Sequence, residues 1–216
     1  MDLLTRLHRA SAFDRRVDRA FDRIRGHPHI DHAYYLASEL GDFSLIWHLI
    51  GTARGLRSDR DADAAIRLAG VLLVETVLVN QGVKRLINRN RPIHEAIRPR
   101  RLRTPRSSSF PSGHASAAFT AAGVLSEGDP LWPLYYAIAT FVATSRIYVR
   151  IHHASDVVAG ALLGVALARV ARRLWPLEAT EATEATEATE ATEATEATEP
   201  GEPSGMGAVA PGLHPA

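Results

Sequence analysis

The chain has 216 residues, room for one domain of ordinary size, and no cysteine, which excludes disulfides, thiolate nucleophiles and cysteine-ligated metals. Its formal net charge of +1 conceals a division: nine of the 24 acidic residues lie beyond Leu177, leaving residues 1–177 with 25 Lys and Arg against 15 Asp and Glu, a net of +10. Such a body suits anionic partners, whether a phosphorylated substrate, acidic lipid headgroups or nucleic acid.

No cleavable signal is expected, because the first 26 residues lack an uninterrupted apolar segment. From Asp2 to Arg25 apolar residues recur every three or four positions between alternating arginines and aspartates, which predicts an amphipathic helix that Gly26-His27-Pro28 ends. Its polar face reads either as a solvated surface laced with ion pairs or as a face lying on a membrane. Apolar runs follow at Phe43–Ile50, Ala64–Val83, Ala115–Leu125, Leu131–Val149 and Val157–Val170. Spanning a bilayer takes roughly 20 mostly apolar residues, which the second and fourth approach.

Asp42 is placed to cap the first of these runs. The next helix is predicted from Asp63 through Leu86, with Glu75 and Asn80 in its apolar middle; a carboxylate there needs protein or water to face, and a polar group of a neighbouring helix is its expected partner. Lys84 and Arg91 are seven residues apart, so on a helix they would share a face until Pro92 ends it. Arg98, Arg100, Arg101, Arg103 and Arg106 follow with no acid after Glu95, a concentrated positive field that could equally be an ordinary basic juxtamembrane loop.

Ser112 stands where an N-cap belongs, so the first amides of the next helix, Gly113 included, would point at an anion site with His114 in the first turn beside it. After the fourth apolar run come Ser145-Arg146 and then His152, four residues before Asp156. A carboxylate held against an imidazole fixes its tautomer and frees the opposite nitrogen, which prepares a nucleophilic or basic histidine. Alone, the pair also reads as a helix start capped by Ser155 or Asp156. The last apolar helix runs to Trp175 and Pro176 closes the body. From Glu178 to Thr198 the triplet Glu-Ala-Thr repeats seven times, and a period of three forms no continuous helical face. The expectation is a disordered acidic tail.

Taken together, Lys84 with Arg91-Pro92, then Pro111-Ser112-Gly113-His114, then Ser145-Arg146 with His152 and Asp156 resemble the phosphatidic acid phosphatase type 2 superfamily. Its pattern is Lys, six residues, Arg-Pro; Pro-Ser-Gly-His; and Ser-Arg, five residues, His, three residues, Asp. The resemblance covers roughly Ala64 to Trp175. It implies an all-α membrane helical bundle of about five helices, whose motifs meet at one membrane face. Residues 1–30 would form the amphipathic N-terminal helix, 31–177 the phosphatase domain and 178–216 the low-complexity tail.

Phosphoryl transfer needs donors to spread the charge of the equatorial oxygens, an in-line nucleophile and an acid for the leaving oxygen. Lys84, Arg91, Arg146, Ser112 and the Gly113 amide meet the first requirement. The resemblance makes His152 the nucleophile that forms a phosphohistidine, Asp156 its orienting carboxylate, and His114 the acid that protonates the leaving alcohol. His153, adjacent to His152, is a competitor that motif spacing sets aside. The mechanism implied uses no metal and no cofactor, and a metal site at His152, His153 and Asp156 lacks further ligands of suitable spacing.

Vanadium haloperoxidases belong to the same superfamily, but a body of this size favours the phosphatase branch. The expected partners are a lipid phosphate substrate, a monoester or a pyrophosphate, and membrane lipids, with no nucleic acid. The expected location is a multi-pass one in the cell membrane. Family members place the motif face outside the cytoplasm whereas the basic 84–106 loop points it inward, so both sides stay open. Two other readings stand beside this one: a non-catalytic membrane protein that binds acidic lipids, and a soluble acid phosphatase of the same superfamily.

Overall fold

The computed structural model describes residues 3–92, Leu102 and 107–177, with side chains from Ser11 onward. The Glu-Ala-Thr tail and all the arginines from Arg98 to Arg106 lie outside the described residues. Among the described residues there are seven helices and no strand: α1 Leu3–Asp22, α2 Pro28–Leu40, α3 Leu45–Gly55, α4 Asp59–Val77, α5 Gly113–Leu125, α6 Trp132–Tyr148 and α7 Ala154–Leu174.

Several boundaries move from their expected places for local reasons. α4 starts at Asp59 rather than Asp63 because the Ser58 hydroxyl accepts from the Asp61 amide at 3.2 Å, a cap outside the apolar run. Its α-helical part gives way to a π-helical stretch at Leu78–Val83 and a last turn at Lys84–Leu86, after which Ile87 is extended. Lys84 and Arg91 therefore share no helical face; Arg91 lies beyond the helix on non-helical chain. Asp42 does not cap α3: Ser44 occupies that position, and Asp42 opens the 3-10 turn Asp42–Ser44. α7 is preceded by His153 as its N-cap residue, with Asp156 in its first turn accepting from the His153 amide at 2.9 Å. α2, which no apolar run announces, is held by Tyr35, Ala37 and Ser38 buried on one side, and Tyr34 stacks on Tyr148 of α6 with ring centroids 4.2 Å apart.

α5 is the centre of the body, and ten of its 13 residues are buried. Its alanines leave room for backbone to approach backbone. Gly160 and Gly164 of α7 lie so close to the Ser112 and Ser116 carbonyls that a Cβ at either would overlap them, and a Cβ at Gly123 would meet the Ala168 Cβ at 2.5 Å. Trp47, Leu68, Leu72, Tyr135 and Val142 from α3, α4 and α6 complete this core.

α1 packs against the body through Val17 and Phe21. Its polar face is laced with ion pairs, Asp18 and Asp22 meeting Arg25 and Arg150.

The ends of the bundle differ. At one end buried arginines tie helix termini together: Arg54 reaches Asp61 at 2.6 Å and the Leu125 carbonyl, and Arg67 reaches Glu127 at 2.7 Å and the carbonyls of Val124 and Trp175. At the other end lie Lys84, Ser112 and the turn between α6 and α7. Among the described residues one helix, α7, is long and apolar enough to cross a membrane. Large apolar side chains on α3, α4, α6 and α7 face outward, among them Leu49, Leu73, Val74, Val77, Leu134, Val158 and Leu162.

Candidate active site

The C-terminal turn of α6 delivers His152. Arg150 adopts a left-handed φ of 54°, and the amides of Ile151 and His152 both return to the Arg146 carbonyl at 3.1 Å, so the end of the helix fixes the histidine backbone. The ring is 3% exposed. Nδ1 lies 2.7 Å from the Ser109 carbonyl, which can only accept, so Nδ1 carries the proton and Nε2 keeps its lone pair. Nε2 faces the Arg91 guanidinium, 3.3 Å from Nη1. Burial pushes the imidazole down to about 3; Asp156 pulls the other way, and Arg146 and Arg91 add to the push. The nucleophile candidate is therefore a neutral imidazole with its lone pair directed at a cation.

Asp156 lies 3.7 Å from Nδ1, beyond hydrogen-bond distance, and has no exposed surface. Its Oδ1 is held by Arg89. Arg89 also meets Asp14 of α1 at 2.7 Å, and Asp14 in turn accepts from the Ser155 amide at 2.8 Å and hydroxyl at 2.9 Å. The direct orienter of His152 is thus the Ser109 carbonyl, with Asp156 as the charge behind it. Neither Arg89 nor Asp14 carries a signal in the three motifs.

Arg91 is locked by the carbonyls of Ile151 at 3.0 Å and Ser107 at 3.1 Å, and its buried Nε has no partner among the described residues. Such an orphaned donor suits an anion. Arg146, 1% exposed, donates to the Ser38 hydroxyl of α2. Lys84 donates to Asn80 at 2.7 Å, and its Nζ lies 3.2 Å from where a Cβ on Gly113 would stand. Glycine leaves the amide there open beside the ammonium; a Cβ would press on the lysine tip. The π-helical turn before Lys84 is the local irregularity that aims it, a feature frequent at functional sites. Arg91 and Arg146 both lie close enough to Lys84 to repel its ammonium, a charge cluster that an anion would relieve.

Ser112 caps α5, its hydroxyl accepting from the Ala115 amide at 3.4 Å, and its own amide donates to the Asp156 carbonyl at 3.0 Å. That bond joins the Ser112-Gly113-His114 segment to the His152-Asp156 turn. His114 lies on the wall of a cavity of about 640 Å³ with Lys84, Gly113, Asp42 and Glu75. Leu72, Leu73, Ala117 and Phe43 supply its apolar lining. His152 is not part of that wall. His153 points elsewhere, its Nε2 3.3 Å from the Asn90 carbonyl. Glu75, the intrahelical carboxylate, is buried against the cavity, with Oε1 unpartnered among the described residues. No three His, Cys, Asp or Glu side chains cluster tightly enough among the described residues to hold a metal ion.

The PAP2 superfamily matches residues 64–178, just over half of the chain. A decaprenylphosphoryl-5-phosphoribose phosphatase of Mycobacterium tuberculosis is 35% identical over 102 residues, 47% of this chain and 55% of that protein. The chain thus matches about half the length of that curated relative. Among solved structures, Aquifex aeolicus LpxE superposes with a TM-score of 0.60 at 27% identity, covering 73% of this chain and 93% of that one. A transmembrane PAP2 type phosphatidylglycerolphosphate phosphatase from Bacillus subtilis shares the fold, with a TM-score of 0.55 at 24% identity over 79% of this chain and 92% of its own.

Proposed function

This chain belongs to the PAP2 superfamily, and on that footing we propose that it is a membrane phosphatase hydrolysing a lipid phosphate monoester or pyrophosphate. The observation that carries the reading is the meeting of three cations, an open helix N-terminus and a buried neutral histidine at one end of the bundle. In the first step the Nε2 lone pair of His152 attacks phosphorus, the P–O bond to the lipid breaks, and His114 gives its proton to the departing oxygen. In the second, water attacks the phosphohistidine, its proton passes to His114, and the P–N bond breaks to release phosphate. Arg91, which faces Nε2, turns its donors to the phosphoryl oxygens with Lys84, Arg146, Ser112 and the Gly113 amide. Asp156 compensates the charge that His152 acquires.

The apolar lining of the cavity and the outward-facing apolar side chains support a lipid substrate and a multi-pass position in the membrane. The mycobacterial relative acts on a polyprenyl phosphosugar, and a substrate of that kind stands among the candidates with phosphatidic acid and phosphatidylglycerol phosphate. Phosphate release from a panel of these lipids in detergent, with EDTA present, tests the reading. Turnover of at least one is expected, with loss of roughly 10³-fold or more in His152→Ala. Undiminished turnover in that variant would remove His152 from the mechanism, and lipid binding without any turnover would favour a non-catalytic acidic-lipid-binding protein.

A further inference from the structure

We propose that Asp42 is the carboxylate partner of His114, a positioning residue that gives this chain a second histidine–carboxylate pair beside His152 and Asp156. The inference rests on the phosphatase reading above, in which His114 is the acid. Asp42 Oδ1 lies 3.0 Å from His114 Nε2. The segment that carries it is built against the imidazole: a Cβ at Gly41 would stand 2.6 Å from His114 Cδ2 and 2.9 Å from Val142 Cγ1, so only glycine lets the backbone lie on that ring.

Beyond Asp42 the chain turns through two consecutive left-handed residues, Phe43 at φ 54° and Ser44 at φ 58°. Neither is glycine, and each such residue costs on the order of 1 kcal/mol, a strain retained where surrounding structure over-determines the conformation. The turn is tied by the Ser44 amide to the Gly41 carbonyl at 3.1 Å, and Gly41 itself to the Ala37 carbonyl at 3.1 Å. What the strain secures is the direction of Asp42, away from α3 and into the cavity that His114, Lys84 and Gly113 line.

The chemistry calls for such a partner. His114 must hold two protons before it can donate one, and the cavity wall it shares with the Lys84 ammonium already carries positive charge. Glu75 lines the same cavity, but Asp42 is the carboxylate in contact with the ring. With Nε2 turned to the Asp42 carboxylate at ion-pair distance, Nδ1–H is the proton left for the leaving oxygen, and the same nitrogen recovers it from the attacking water. Asp42 also lies outside residues 64–178, the part of the chain that the family match covers. It is therefore a contribution of the α2–α3 junction and not of the three motifs.

The test compares leaving groups in the full-length protein in detergent. A long-chain alkyl phosphate needs protonation of its leaving oxygen, whereas p-nitrophenyl phosphate expels a stable phenolate without it. Asp42→Asn is expected to lower kcat on the alkyl phosphate by about 10- to 100-fold, with KM within about twofold, because general-acid contributions reach that size. The pre-steady-state burst of nitrophenolate should stay within about threefold of the unmodified protein, since that step does not need the acid. Asp42→Glu should recover part of the loss.

An equal fall on both substrates, or an unchanged kcat on the alkyl phosphate, would overturn the proposal. Should Asp42→Asn not fold, as read by loss of orthovanadate binding, the ratio of the two rates in Asp42→Glu makes the same comparison, and an unchanged ratio there would equally overturn it. Absence of turnover in the unmodified protein on both substrates would instead bring down the phosphatase reading, and this inference with it.

Discussion

At the scale of single residues, the site rests on keeping one histidine neutral inside a cluster of cations. His152 is held near 3 by burial, while in an unfolded chain it would titrate near 6.5. The unfolded chain therefore binds a proton that the folded chain refuses between those values. The contribution of His152 to stability is complete above about pH 6.5 and falls as the pH drops toward 3. Thermal unfolding in detergent at pH 7 and pH 5 is expected to show a lower midpoint at pH 5, and His152→Gln should narrow that difference; an equal difference in the variant would count against a buried neutral His152.

Most of what the proposed chemistry uses was legible at this scale, because the motif residues declare themselves by spacing within a few turns of one another. What was not legible lies far away in sequence or in the backbone. Arg89 meets Asp156 across 67 residues, Asp14 meets Ser155 across 141, and Asp42 meets His114 across the whole of α3 and α4. The Ser109 carbonyl that orients His152 is a main-chain atom, which no side-chain pattern can announce.

Elements show a different division. Apolar runs located the five helices α3 to α7, since a buried or lipid-facing helix must be apolar on most of its circumference. They missed α2, whose small buried stripe sits among histidines and acids, and they missed the π-helical turn, where the hydrogen-bond register changes without a change in composition. The contact between α5 and α7 depends on glycine where backbone meets backbone. Gly160→Ala places a methyl group against the Ser112 carbonyl, and overpacking of this kind costs about 1–3 kcal/mol. Because Ser112 is the cap of α5 and the link to Asp156, turnover should fall with stability in this variant. Gly82→Ala is the control: among the described residues nothing outside its own stretch of helix lies within 4 Å of a Cβ there, so its unfolding midpoint should be no lower than that of the unmodified protein. Equal midpoints for Gly160→Ala and Gly82→Ala would contradict the close α5–α7 packing.

For the whole molecule, the arrangement of the two ends follows from charge. Arginine–carboxylate pairs close one end, and Lys84, Arg91 and Arg146 gather at the other, with apolar side chains exposed on the helices between them. A body with that girdle should need detergent to stay dispersed; size-exclusion chromatography after detergent removal is expected to show aggregation, and a monodisperse protein would argue for the soluble branch of the family. The Asp14 bridge adds a statement about time. It joins α1 to α7 across 141 residues, so the carboxylate chain behind His152 is completed only when α7 has emerged and docked on α1. Contacts of such long sequence separation form late. A chain made only as far as the turn after α6 would carry Lys84, Arg91, Arg146, His114 and His152, yet lack the Asp156 carboxylate behind that imidazole, so the site proposed here would stay incomplete until α7 is in place.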